Sequence, residues 1–259
     1  MNLLSAAAKV SSLTMLSRIT GLLRETLIAR SFGASEWTDA FNVAFRIPNL
    51  LRRLFAEGAF SQAFVPILGE ISTNEDKTRA KILINAVATL LFWSLLATVI
   101  LGVVGAPMLI LAIATGFSGG PAYDASVVMT KIMFPYIGLI SLVSLSAGVL
   151  NTYHRFAVPA FTPVLLNLAL IASAIFLAPH LNQPIYALSI GVLLGGILQL
   201  AIQIPALAKL GLLPRIGFLP SAIKAAATNP DARRVLKLMG PAVFAVSVFG
   251  SRDCISSRE

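Results

Sequence analysis

The chain has 259 residues, 57% of them hydrophobic and 12% charged, with a mean hydropathy of +0.84. A soluble domain is charged at about a quarter of its residues, so that class is excluded and a membrane-embedded chain is expected. The formal net charge of +9 would suggest nucleic acid in a soluble protein, but the placement of the bases explains it without a nucleic-acid partner.

The N-terminus, MNLLSAAAKVSS, has no basic region ahead of an apolar one and reads as an uncleaved start. Two apolar segments follow, about Val10–Phe32 and Ala40–Leu68, and they contain Arg18, Arg24, Arg30, Arg46, Arg52 and Arg53. A cation at bilayer depth costs at least ~2.5 kcal/mol and faces protein or a water-filled cavity. Several together point to a polyanionic ligand held within the membrane. On the first segment Ser17, Gly21 and Arg24 share a helical face, while Arg18 lies roughly 120° from Arg24 at ~100° per residue. Arg30 falls near the segment's end, where a long side chain snorkels to the interface.

On the second segment Asp39, Asn42, Arg46, Asn49, Arg53, Glu57 and Ser61 recur at steps of three or four, giving with Arg52 one polar face. Ion pairing of Arg53 with Glu57 and of Asp39 with Arg46 is the structural alternative. It does not account for the whole set, since the six arginines meet only Glu25, Asp39 and Glu57 within these segments. Arginine keeps its charge and grips phosphate oxygens with a planar fork, so a diphosphate would match two or three that converge.

Four longer apolar runs come next. Ile82–Thr115 has 34 residues without a charge, against ~20 needed to span. Ile132–Tyr153, Phe156–Pro179 and Ile185–Leu207 are comparable, and a seventh span begins near Val235. Gly191, Gly195 and Gly196 read as a small-residue packing face. Alternate connections hold the bases: Lys77, Arg79 and Lys81, then Arg155, then Lys209, Arg215, Lys224, Arg233, Arg234 and Lys237. The turns around Ser31–Thr38, Gly116–Ser126 and His180–Gln183 hold no Lys or Arg. This positive-inside pattern puts the N-terminus in the cytoplasm.

The expected organisation is six spans and the start of a seventh over residues 1–248, then a polar tail at 249–259, GSRDCISSRE with the flanking Phe249. The abrupt tail suggests an incomplete protein. A single cysteine, Cys254, excludes an internal disulfide and any multi-cysteine metal cluster. His154 and His180 are expected at opposite membrane faces, so no catalytic constellation emerges. No enzyme, metal or cofactor is expected.

The run DAFNVAFRIPNLLRRLFAEGAFSQAFVPIL, Asp39 to Leu68, closely resembles the second-helix signature of the MurJ (MviN) lipid II flippases, in the multidrug/oligosaccharidyl-lipid/polysaccharide exporter superfamily. Ser11–Glu25, Phe134–Asn167 and Lys237–Val248 resemble the same family, and the similarity runs in order over about residues 1–248. The resemblance implies an all-α polytopic membrane helical bundle, the N-terminal lobe of a two-lobed alternating-access transporter. It implies a flippase moving lipid II, the undecaprenyl-pyrophosphate-linked disaccharide peptide, across the bacterial cytoplasmic (inner) membrane. Arg18, Arg24 and Arg52 match the family's cavity arginines. Ser17 and Asn49 match cavity positions, and Asp39 and Glu57 would gate the cavity or orient arginines. The family's second lobe is absent, so its partner here would be a missing C-terminal lobe, with membrane lipids around both. A flippase for another lipid-linked oligosaccharide and a noncatalytic scaffold in cell-wall synthesis are the competing readings.

Overall fold

A computed structural model describes residues 3–52, 59–73, 76–113 and 120–239, without the side chains of residues 3–6, 47, 51, 52 and 59. The described residues are helices joined by short turns. They comprise α1 (Leu3–Phe32), α2 (Glu36–Arg52), α3 (Ala59–Thr73), α4 (Lys77–Ile113), α5 (Pro121–Thr152), α6 (Ala157–Ala172), α7 (Tyr186–Leu210), α8 (Pro220–Thr228) and α9 (230–239). A π turn, Ser173–Leu177, and a short 3-10 turn, Ala178–His180, extend α6.

Local chemistry sets the helix ends. Ser35 caps α2, its Oγ accepting from the Thr38 N–H at 3.3 Å, as a side-chain oxygen does for an otherwise orphaned donor. Before it, Gly33 takes φ 64° and ends α1, with its N–H on the Ala29 carbonyl at 3.1 Å. Pro121 opens α5, where its missing N–H costs nothing. At the end of α7, Gly211 is left-handed with φ 70°. Its N–H bonds Ala208 O at 3.0 Å and that of Leu212 bonds Leu207 O at 3.1 Å, the paired C-terminal closure glycine permits.

α5 is the axis of the lobe. One core packs α3, α4 and the inward side of α5, through Phe60, Phe64, Leu68, Leu83, Ile84, Leu145 and Val149. A second joins α2, α5, α6 and α7 through Phe41, Met129, Met133, Tyr136, Leu170, Leu188 and Val192, with Leu27, Ile28 and Phe32 of α1 against it. Gly195 and Gly196 form the packing face expected of them. A Cβ on Gly196 would lie 2.7 Å from Tyr136 Cδ2, and one on Gly195 would lie 2.6 Å from Leu166 Cδ1. These two positions let α7 approach both α5 and α6.

Among the described residues, four segments are long and apolar enough to cross a membrane: Lys77–Ile113, Pro121–Thr152, Ala157–His180 and Tyr186–Leu210. They coincide with the four long apolar runs. The first two expected spans differ. α1 has 30 residues, ~45 Å of helix, but the charges of Arg18, Arg24, Glu25 and Arg30 keep it off that apolar standard. The second, expected as one polar-faced helix from Asp39 to Ser61, is described as α2 and α3, with residues 53–58 outside the described residues. Pro48 lies inside α2, where it removes one ladder bond and crowds the carbonyl four residues back. Arg53, Glu57, the apolar start at Gly240 and the tail at 249–259 also lie outside the described residues.

Lys131 is a base outside the alternate connections. It is exposed on α5, ten residues or ~15 Å from that helix's start, on the side whose turns otherwise lack bases. His154 and His180 stand at opposite ends of the α6 segment, too far apart to share a site.

Candidate functional site at the α1–α6 seam

α1 has α6 as its main neighbour and α2 lies on α5, while α1 and α2 share little contact beyond their connecting turn. The two helices therefore splay, α1 on one side and α2 with α3 on the other. α5 and α6 lie between them.

The face shared by Ser17, Gly21 and Arg24 is the face α1 turns to α6, and Thr20 joins it. Opposite stands Asn167, only 6% exposed. Its Nδ2 donates to the Ser17 carbonyl at 3.1 Å and to Thr20 Oγ1 at 3.2 Å. Its Oδ1 accepts from Arg24 Nη1 at 3.0 Å. Gly21 leaves room for this amide: a Cβ there would lie 3.5 Å from Asn167 Nδ2. Thr20 Oγ1 in turn donates to the Leu16 carbonyl at 2.9 Å, which leaves its lone pairs for Asn167.

Arg24 is held from two sides. Besides Asn167, its Nη2 meets Glu25 Oε1 at 2.8 Å, with side-chain exposures of 22% for the arginine and 69% for the glutamate. An ion pair so exposed contributes little on its own, about 0–1 kcal/mol. A guanidinium has five N–H donors. Two are engaged here, and the other three have no partner among the described residues.

The remaining expected site residues are not brought to this seam. Arg18 is exposed and makes no hydrogen bond or ion pair among the described residues. On α2, Ala40, Phe41, Ala44 and Pro48 are buried, while Asp39, Asn42 and Arg46 are exposed and Asn49 is half-buried. The polar face therefore points away from α5, as the periodicity indicates. Ser126 Oγ fixes the rear of α2 by bonding the Ala40 carbonyl at 3.2 Å. The Asp39–Arg46 pair weighed from spacing is not formed among the described residues. Arg52 ends the described part of α2, its side chain outside that description, and Glu57 lies outside the described residues altogether.

A cavity of about 320 Å³ opens among α3, α5, α6 and α7. Its polar lining is Ser61, Tyr136, Ser144, Asn151, Thr162 and Gln199, and among the described residues no charged side chain lines it. Gln199 is anchored there by its Nε2, which donates to the Thr162 carbonyl at 2.9 Å. Thr162, Pro163 and Leu166 of α6 line this cavity, and Asn167 follows Leu166 directly. At 1.5 Å of rise per residue, the arginine grip and the neutral pocket are neighbours on one helix.

Asn167 and Thr20 were not singled out from sequence. One signal could have found Asn167: it interrupts the apolar stretch AVPAFTPVLLNLALIA, and an amide in such a helix favours an interhelical hydrogen bond. Among the described residues no group of three His, Cys, Asp or Glu side chains could hold a metal ion.

The sequence profile of the family described as "Lipid II flippase MurJ" matches residues 28–256. A lipid II flippase MurJ from Burkholderia cenocepacia is 55% identical over 96% of this chain and 48% of its own length. A probable lipid II flippase MurJ from Haemophilus influenzae is 42% identical over 91% of this chain and 46% of its own. Among solved structures, a lipid II flippase MurJ in an inward closed conformation superposes with a TM-score of 0.73 at 29% identity, covering 91% of this chain and 46% of that one. The chain thus spans about half the length of the relatives it matches. By profile, by identity and by fold, this chain belongs to the MurJ family.

Proposed function

We propose that this chain forms the N-terminal half of a lipid II flippase, carrying the lipid-linked peptidoglycan precursor from the inner to the outer leaflet of the cytoplasmic membrane without making or breaking a bond. The observation that carries this reading is the Arg24 guanidinium. It is fixed at the α1–α6 seam, with three donors unpartnered among the described residues. A diphosphate is the ligand whose charge and fork geometry suit it. Arg18 and Arg52 would add charge, with Ser17 and Asn49 as neutral contacts, and Asp39 and Glu57 would gate the cavity or orient arginines. The cavity beside the seam, whose described lining is neutral and partly polar, suits the sugar part of a head group.

Transport by alternating access takes two lobes rocking about a midplane site, so a C-terminal lobe is the required partner. The N-terminus would face the cytoplasm. An inside-negative potential would then favour outward movement of anionic groups by ~2.3 kcal/mol per charge per 100 mV.

A chimaera tests the reading. The matched part of the Burkholderia cenocepacia relative is replaced by this chain, and lipid II translocation is followed in vesicles. Translocation is expected, with a loss of about ten-fold or more on Arg24→Ala from one charge-assisted contact. Undiminished translocation by an Arg24→Ala chimaera that inserts normally would refute the assignment. Translocation of other undecaprenyl-diphosphate glycans in place of lipid II would move it to a different cargo.

A further inference from the structure

We infer that Asn167 is a positioning residue for Arg24, one that fixes the guanidinium with a partner carrying no charge and thereby sets the site's preference for a diphosphate. This rests on the reading of Arg24 as the diphosphate contact. It adds a residue on a different helix, α6, to which no role has been attached.

The amide has a single orientation that works. With Nδ2 toward α1, both its N–H groups find acceptors, the Ser17 carbonyl at 3.1 Å and Thr20 Oγ1 at 3.2 Å. Oδ1 then faces Arg24 Nη1 at 3.0 Å. Turned over, the amide would set N–H against the guanidinium donors and oxygen against the Ser17 carbonyl oxygen. The electrostatics of α1 itself therefore fix the group that holds Arg24.

No other side chain of this size does the same. Aspartate would lose both donors, press an anionic oxygen on the Ser17 carbonyl and cancel the charge of Arg24. Leucine would leave Arg24 Nη1, Ser17 O and Thr20 Oγ1 without their partner. The two grips on Arg24 also differ in kind. Glu25 is 69% exposed and is held by Arg24 alone among the described residues, so a phosphate can replace its carboxylate on Nη2. Asn167 is buried and stays, so the guanidinium keeps its aim while its anionic partner changes.

The 259-residue chain, purified in detergent micelles, is titrated with undecaprenyl diphosphate and with undecaprenyl monophosphate. Binding is followed by native mass spectrometry at two salt concentrations. The unmodified chain is expected to favour the diphosphate. Asn167→Asp and Asn167→Leu should each weaken diphosphate binding roughly ten-fold, and Asn167→Asp should also flatten its salt dependence. Thr98→Val, on α4 and remote from the seam, where Thr98 Oγ1 only donates to the Ser94 carbonyl at 2.9 Å, should change the diphosphate-to-monophosphate ratio less than two-fold, by roughly the scatter of neutral contacts. Melting curves identify any variant that fails to fold, and Asn167→Asp, nearly isosteric, keeps the test open if Asn167→Leu is lost. If the unmodified chain has no diphosphate preference, the underlying reading fails and this inference falls with it. If it has one that Arg24→Ala abolishes and Asn167→Asp preserves, the inference alone is overturned.

Discussion

Gly21 sizes the contact between α1 and α6, and a pair of substitutions there separates packing from chemistry. A Cβ at this position would lie 3.5 Å from Asn167 Nδ2, an ordinary van der Waals distance, so Gly21→Ala fits without movement. It also removes a glycine from a helix interior, a gain of up to ~1 kcal/mol. Gly21→Leu sends three further carbons toward the amide and must displace it. The three bonds at stake measure 3.1, 3.2 and 3.0 Å. At ~0.6 kcal/mol for each interhelical bond in a membrane protein, their joint loss comes to about 2 kcal/mol. For a chain of this length that corresponds to a fall of about 4–8 °C in melting temperature. The assay is thermal unfolding in detergent, with Cys254→Ser in the background to prevent oxidation. The expected order is alanine at or above the unmodified chain and leucine clearly below. Equal melting of both variants, or an alanine as damaging as the leucine, would refute the geometry drawn for this seam.

Three other outcomes follow from the fold. Asp231 is held by Arg79 through two bonds of 2.9 and 2.8 Å, and that hydrogen-bonded guanidinium keeps its carboxyl below the usual carboxylate range. A lowered folded value means the pair stabilises above the ordinary carboxylate range and is lost as pH falls through the lowered one. Asp231→Asn should therefore cost about 1 kcal/mol at neutral pH and nothing in strong acid, read as melting temperature against pH; an equal difference at both would exclude the pair as its source. Gly195→Val should drive α6 and α7 apart, because the Leu166 backbone Cα lies only 3.2 Å from a Cβ there. Overpacking of about 1–3 kcal/mol, seen as lost monodisperse protein on size exclusion, is expected, and a normal elution and melt would contradict it. Trp93→Phe removes the Nε1 bond to the Gly217 carbonyl, 3.0 Å long. Limited proteolysis should then cut residues 211–219 several-fold faster, at ~1 kcal/mol per lost bond, whereas unchanged cutting would show the bond to be dispensable.

Much of this molecule is legible along the chain because its strongest signals are local. The runs behind α4 to α7 announce themselves by length and apolarity, and Gly195 and Gly196 by spacing. The outward polar face of α2 was readable from Asp39, Asn42 and Arg46 at helical steps. The partner of Arg24 was not, since Asn167 is 143 residues away and no periodicity links the two. The exclusion of Arg18 from the contact was readable, since at ~100° per residue it lies roughly 120° from Arg24; which face α6 covers was not. Lys131 is inconspicuous along the chain because it abuts the apolar run that starts at Ile132.

The separation between Arg24 and Asn167 also orders events during synthesis. α1 emerges first, yet the amide that secures it is added 143 residues later. At ~5–20 residues per second of elongation, the nascent helix waits about 7–30 s with its arginines unmet. A seam closed so late leaves α1 without its main neighbour until α6 has been made. The insertion machinery must therefore tolerate a charged helix beside the lipid for most of that time.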